Sequence, residues 1–341
     1  MNDVDNTYKQ LIKEVLSRGS FKSNRTDVAT ISKFGVSYTI DNSERFPLLT
    51  TKKMDGARWN SLVHELLWYL SGEEHVRNLQ EETQIWEEWS KENGELDSAY
   101  GRFWRRYPIP NPSSHLQGES WPGLNGEDSN DNIVWEEQGT YTFDQIQYVI
   151  ENLKENPNSR RHVVTAWHPA NATVSTLPPC HFSFVFNVQN GNVLNLHLTQ
   201  RSGDVALGVP FNISSYALLQ RLIANETDLE VGKFYHSITD AHIYCGKGER
   251  ADWWEDNTDL LTEAFANGHD KNSIIDTIDT LAPEQEEPYD HIPGLLEQMT
   301  RTAYNLPTVE ITDKGIDDVE YEDFELKNYE SHDSINFAVA E

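Results

Sequence analysis

Residues 180–204 read CHFSFVFNVQNGNVLNLHLTQRSGD. Phe182, Phe184, Phe186 and Val188 recur at every second position, as do Leu194, Leu196 and Leu198. That is the period of a strand with one buried face. Asn190-Gly191 between the two runs is a strong turn signal, because both residues tolerate positive φ. The stretch therefore reads as a β-hairpin. Upstream, Val163 to Trp167 is β-branched and aromatic and predicts a further strand. Downstream, Tyr216 to Ala224 (YALLQRLIA) is apolar nearly all round and predicts a buried helix. Leu62 to Leu70 (LVHELLWYL) predicts another, with Glu65 as its one acid. Tyr8, Leu11, Ile12, Val15 and Leu16 fall at helical spacing, as do Ile146, Val149, Ile150 and Leu153 before Pro157. Helices and strands mix without regular alternation, so the fold class is α+β and not a doubly wound sheet.

The same region is nearly free of charge. Between Val163 and Gln220 the only charged side chains are Arg201 and Asp204. Charges are costly to bury unless they are paired or used, so both are candidate site residues. Elsewhere charge is abundant and lopsided. The 341 residues hold 27 basic and 56 acidic side chains, a net charge of −29. Residues 246–341 alone carry 25 acids and 6 bases. Such a chain does not use its general surface to hold nucleic acid or anionic lipid. No apolar run approaches the roughly 20 residues of a membrane span, and no leader-like segment opens the sequence. Two cysteines, Cys180 and Cys245, imply no disulfide framework and favour a reducing, cytoplasmic setting. Residues 107–142 are rich in Pro, Gly, Ser and Asn, and residues 246–307 are acidic; both read as surface insertions in one domain spanning 1–341.

Cys180 follows Pro178-Pro179 and lies in the uncharged region with Arg201, where a guanidinium would favour the reactive thiolate. A small buried hydrophobe is the more common fate of a lone cysteine, and Cys245 keeps that reading. Arg201-Ser202 suits a phosphate, through paired N–H donors and a hydroxyl. Arg160-Arg161 is an ordinary exposed turn if taken alone; with Arg201 it forms a basic set for an anionic ligand. Asn212 offers a donor and an acceptor, the pattern that meets a pyrimidine or amide edge. His242 and Tyr244, two apart on an apparent strand, suit a sugar hydroxyl or a satisfied core pair equally. Glu65, in its apolar helix, is a candidate acid–base group whose pKa burial would raise.

Longer segments then carry a resemblance. FPLLTTKK (46–53), HELLWYLSG (64–72), IWEEW (85–89), NPNSRRHVVTAWHP (156–169), LPPCHFSFVF (177–186), QRSGDVALGVPFNISSYALL (200–219), DAHIY (240–244) and YEDFEL (321–326) run in family order. Over almost the whole chain outside the insertions it resembles thymidylate synthase, the folate-dependent family that methylates dUMP. The resemblance implies a mixed β-sheet packed by helices. It implies that the Cys180 thiolate attacks C6 of uracil, that Asn212 reads the uracil edge, and that His242 and Tyr244 hold the ribose. Arg25, Arg160, Arg161, Arg201 and Ser202 would bind the phosphate, the paired arginines reaching across an obligate homodimer. Glu65 would organise proton transfers with Tyr100. Asp204 would bond the pterin, with Ile85, Trp86, Trp89, Gly208 and Phe211 lining the folate site and Lys52 near the glutamate tail. The implied co-substrate, 5,10-methylenetetrahydrofolate, supplies both carbon and hydride, so no metal, nicotinamide or flavin is expected.

Departures from the family pattern are local. The early phosphate loop reads Arg25-Thr26-Asp27-Val28-Ala29-Thr30, without the two usual glycines. Ala206 and Thr239 replace other residues, Cys245-Gly246 replaces a polar pair, and the tail ends in Glu341. None removes a catalytic residue. Three rivals remain at this level: a deoxyuridylate hydroxymethylase on the same fold, a cysteine hydrolase built on Cys180, and a non-catalytic nucleotide-binding protein. The acidic excess points to adaptation to molar salt, where the Debye length is about 3 Å and surface repulsion is screened, and with it the resemblance takes on a halophilic archaeal character.

Overall fold

A computed structural model describes residues 3–23, 27–109, 133–135, 141–283 and 287–340. Arg25, Glu341 and most of the 107–142 segment lie outside the described residues. In chain order the elements are α1 (Asp3–Arg18), β1 (Ser20–Lys22), β2 (Thr30–Asp41), α2 (Ala57–Ser71), α3 (Leu79–Glu82), α4 (Tyr100–Arg105) and β3 (Tyr107–Ile109). They continue through β4 (Ile133–Trp135), β5 (Tyr141–Phe143), α5 (Gln145–Glu155), β6 (Val163–Thr165), β7 (His181–Gln189), β8 (Val193–Asp204), α6 (Gly208–Glu226) and β9 (Glu230–Tyr244). The rest are α7 (Glu249–Ala266), α8 (Lys271–Leu281), α9 (Ile292–Thr300), β10 (Thr308–Ile311) and β11 (Phe324–Lys327).

The main sheet has the order β1-β2-β9-β8-β7-β6. The expected hairpin is β7–β8, antiparallel, with Phe184 opposite Leu198 and Phe186 opposite Leu196. Asn190 and Gly191 take φ of 53° and 92° at its turn, the conformation their sequence predicts. Among the described strands only β8 and β9 run parallel, and α6 makes the crossover between them. A mixed sheet with helices on one face is the α+β class read from the sequence.

Burial explains that face. Leu196, Leu198, Phe234 and Ile238 are buried under α6, whose Tyr216, Leu218 and Leu219 are also buried. α2 packs beside α6, and the apolar side of α1 lies on β2. Burying one Leu or Phe contributes about 1.5–3 kcal/mol, so this face holds the sheet to its helices. The opposite sheet face is open: Tyr235 is exposed, and His197 bonds across to Ser237. Val163 is exposed as well, so large apolar groups meet solvent there.

α7 and α8 pack on α1 and α9, respectively. Inside this segment Arg250 and Asp290 form a 2.7 Å ion pair, and Trp254 Nε1 donates to the same carboxylate at 2.9 Å. α9 belongs to the body of the fold, with Leu295 and Leu296 fully buried and Gln298 donating to Thr51 Oγ1. The early loop solves its missing glycine locally: Asp27 takes φ 56°. Aspartate is among the few residues that enter the left-handed region at modest cost.

Candidate active site

Cys180 sits against the C-terminal end of β8 through Arg201 and against α4 through Tyr100. This cysteine stands one residue before β7, half-buried, with its sulfur 3.9 Å from the Pro178 carbonyl. Its backbone is fixed on both sides. The Cys180 N–H donates to the Tyr100 hydroxyl at 2.6 Å, and the Cys180 carbonyl accepts from Arg201 N at 2.8 Å. The Arg201 guanidinium also donates to the Pro179 carbonyl at 2.9 Å and the Pro178 carbonyl at 2.5 Å. Nε and one terminal nitrogen are thereby committed to the turn, which leaves the other terminal nitrogen for a ligand.

Tyr100 is buried, stacks on His181 at 3.8 Å and packs edge-on to Trp86. Burial, then the neighbouring Cys180, lifts its hydroxyl well above the ordinary range, so it remains a neutral phenol. His181 is likewise kept neutral by burial, pushed down to about 3, and its Nδ1 meets the Tyr216 hydroxyl at 2.7 Å. Glu65 accepts a 2.7 Å bond from Trp86 Nε1. Burial raises the Glu65 carboxyl above its usual value, while the Trp86 donor and the Tyr69 hydroxyl pull it partly back. A carboxyl so placed can both donate and accept a proton. Ile85 and Trp89 extend the Trp86 wall, both half-buried.

At the other side, Asp204 Oδ1 accepts from Ala206 N at 2.8 Å and Leu207 N at 3.2 Å, closing the turn into α6. Gly208 and Phe211 follow in the first turn of that helix. Lys52 is buried, donates to the Ala206 carbonyl at 2.6 Å and lies 5.5 Å from the Phe337 ring. Burial pushes its ammonium down to about 7, opposed by Asp204 and assisted by Arg58. Asn212 Oδ1 accepts from Gln200 Nε2 at 3.0 Å. Ser202 lies two residues further along β8 than Gln200. His242 and Tyr244 share one half-buried face of β9, with rings 5.3 Å apart and His242 opposite Asp204 in the register.

Arg160 and Arg161 do not join this cluster. Both are exposed, and neither makes an ion pair among the described residues. Phe186 N donates to the His162 carbonyl, so the arginine pair lies beside the far end of β7. From His181 to Asn187 is six residues of extended chain, or roughly 20 Å.

The sequence left several contributors unread. His181, Gln200 and Tyr216 lie inside quoted motifs, yet nothing in their spacing marks them as hydrogen-bonded partners. The C-terminal segment is held by residues scattered over the chain. Arg58 donates to Ser334 and Asn336, Arg301 to the Asp333 carbonyl, Tyr329 to the Leu49 carbonyl, and His291 Nε2 lies 3.0 Å from the Ala338 carbonyl.

The cysteine turn braced by Arg201, the buried Glu65 and the Asn212 amide all lie within the stretch matched by one family. The thymidylate synthase model covers residues 6–341. The chain belongs to the thymidylate synthase family. It is 53% identical over 338 residues to the thymidylate synthase of Haloferax volcanii, covering 97% of this chain and 95% of that relative. Its activity is that of a thymidylate synthase methyltransferase, converting dUMP to dTMP with 5,10-methylenetetrahydrofolate as the family's co-substrate. That relative comes from a halophilic archaeon, in keeping with the net charge of −29. Membership removes the cysteine hydrolase and the non-catalytic binder as readings of this thymidylate synthase fold.

Proposed function

We propose that the thymidylate synthase reaction runs on the residues gathered around Cys180. The observation that carries this reading is the double fixing of the cysteine, by Tyr100 at its N–H and by Arg201 at its carbonyl. The thiolate adds to C6 of the dUMP ring, and the displaced electron pair makes C5 the nucleophile. Glu65 relays protons to and from the pyrimidine, and its raised carboxyl suits both directions. Asn212 faces the base edge, while His242 and Tyr244 hold the ribose. The free nitrogen of Arg201 and the Ser202 hydroxyl take the phosphate, joined by Arg25. After C5 has taken the one-carbon unit it loses its proton, and hydride arriving at the exocyclic carbon expels the Cys180 sulfur, so the thiolate is regenerated.

The folate fits the remaining surface. Asp204 has one oxygen committed to the α6 turn and the other open to an N–H donor of a pterin. Ile85, Trp86, Trp89, Gly208 and Phe211 supply an apolar wall, and Lys52 complements an anionic tail. When bound, this co-substrate supplies the one-carbon unit and the hydride. The chain's own contribution is exclusion of water, through the C-terminal segment laid over Lys52 by Phe337.

A second copy of the chain completes the phosphate site. Arg160 and Arg161 lie about 20 Å along β7 from the Cys180 end, beyond the reach of one side chain. Among the described residues neither makes an ion pair, although the protein is strongly acidic, and the open sheet face offers Val163 and Tyr235 for association. A reducing, cytoplasmic setting keeps Cys180 and Cys245 as thiols, outside any disulfide.

Two experiments test the proposal. A dUMP-dependent assay should show dihydrofolate formation, and mass spectrometry should give a product heavier than dUMP by about 14 Da for CH2, against about 30 Da for CH2O. The heavier product would favour the hydroxymethylase. Verified heterodimers of Cys180→Ala and Arg160→Ala subunits should recover activity that neither homodimer has. No recovery would count against shared sites.

A further inference from the structure

We propose that Tyr38, His236 and Gln200 form a hydrogen-bond relay of fixed direction that holds the Asn212 amide in the orientation that accepts uracil and refuses cytosine. The inference rests on Asn212 facing the pyrimidine. Tyr38 and His236 are cross-strand partners on β2 and β9, and His236 is paired with Leu198 on β8, two residues before Gln200. His236 and Gln200 are buried on the helix-covered face. The Tyr38 hydroxyl lies 2.7 Å from His236 Nδ1, His236 Nε2 lies 2.9 Å from Gln200 Oε1, and Gln200 Nε2 lies 3.0 Å from Asn212 Oδ1.

The direction follows from one group that can only accept. Gln200 Nε2 also lies 2.9 Å from the Ser202 carbonyl. Turning the glutamine amide over would set two oxygens against each other, so its nitrogen faces Ser202 and Asn212 and its oxygen faces His236. His236 must then carry its proton on Nε2. Burial, with His181 and His197 nearby, pushes this imidazole down to about 3, so it is neutral and Nδ1 is an acceptor. The Tyr38 hydroxyl donates to it and closes the chain. Asn212 receives an N–H at Oδ1, which leaves Nδ2 as the donor toward the ligand.

Uracil presents an acceptor, O4, beside a donor, N3–H; cytosine presents the reverse. Asn212 in the relayed orientation gives Nδ2–H to O4 and takes N3–H on Oδ1. Reading cytosine requires turning the amide, which would press an N–H of Asn212 against the N–H of Gln200 in a buried site. Base choice is thus set partly by a tyrosine that never touches the base.

The test compares KM for dUMP with Ki for dCMP in full-length wild type, Tyr38→Phe and Asn212→Ala. Tyr38→Phe should lower dUMP-over-dCMP discrimination about tenfold, the weight of one neutral hydrogen bond, with kcat on dUMP within about threefold of wild type. Unchanged discrimination in Tyr38→Phe, with collapse in Asn212→Ala, would overturn the relay and leave the Asn212 contact standing. Unchanged discrimination in Asn212→Ala would overturn both. Nitrogen-15 NMR of wild-type His236 gives a readout independent of any variant's folding. A proton on Nε2 supports the relay, and a proton on Nδ1 contradicts it.

Discussion

Trp86 donates its indole N–H to the Glu65 carboxylate at 2.7 Å from a backbone in the left-handed region, φ 73°. A bulky residue held there costs of order 1–3 kcal/mol, so the surrounding packing of Trp68, Trp89 and Tyr100 over-determines it. The strain places a donor on the one acid of the apolar helix. Replacing Trp86 with Phe removes that donor and should raise the Glu65 carboxyl further, which moves the acidic limb of the kcat–pH profile to higher pH. An unmoved limb would separate Glu65 from the rate-determining proton transfer.

Glu65 also links pH to stability. Its folded carboxyl is raised by burial, so its favourable contribution is complete below the unfolded pKa and is lost as pH rises through the folded value. Glu65→Gln should therefore raise Tm at pH 8 and leave it little changed near pH 4, while kcat falls about 10²- to 10³-fold. Thermal melts at the two pH values check the sign.

The tail seat is tight at Gly294. A Cβ on that residue would sit 2.7 Å from Phe337 Cε1, backed by Ile335 at 3.1 Å. Gly294→Ala should lift Phe337 from Lys52 and admit water. Tritium release from C5 of dUMP should then outpace dTMP formation, a ratio near one in the parent enzyme. Equal loss of both would place the tail outside the later steps.

The buried pair Arg250–Asp290 anchors the α7–α8 segment with 3% and 1% side-chain exposure. Arg250→Met leaves the Asp290 carboxylate without its cation and should destabilise the protein by about 3–5 kcal/mol. Denaturant unfolding in high salt reads this directly. A loss below about 1 kcal/mol, the range of exposed pairs, would show that the segment does not depend on it.

The hairpin β7–β8 was legible because Phe184, Phe186, Leu196 and Leu198 alternate toward a single buried face. Helix α6 was legible at Tyr216–Ala224 because both its sides are covered. β9 showed only its end, at His242 and Tyr244, since buried His236 and Gly232 interrupt the apolar alternation along its fifteen residues. The motif residues of the site were visible as types and as a resemblance. The contacts that orient them were not: Tyr38, Gln200 and His236 are far apart in sequence and meet only through strand register. The same holds for Arg58, His291 and Arg301 on the tail. Asp27 shows the reverse case, where a missing glycine predicts a restricted loop and an aspartate simply takes the left-handed conformation.

The charge carries its own expectation. With 56 acids against 27 bases, repulsion is screened only when salt shortens the Debye length to about 3 Å near 1 M. Folding, association and activity should all fall on transfer from molar KCl to millimolar salt. Full activity of a folded dimer in millimolar salt would remove the halophilic explanation of the acidic surface.

The central claim is that Cys180 is the nucleophile. 5-Fluoro-dUMP tests it most directly, because fluorine at C5 cannot leave as a proton does and the sulfur–C6 bond cannot be released. Intact-protein and peptide mass spectrometry, after incubation with this analogue and 5,10-methylenetetrahydrofolate, should place one covalent adduct on the peptide containing Cys180. Cys180→Ala should show none. An adduct on Cys245, or a fully active Cys180→Ala enzyme, would contradict the account.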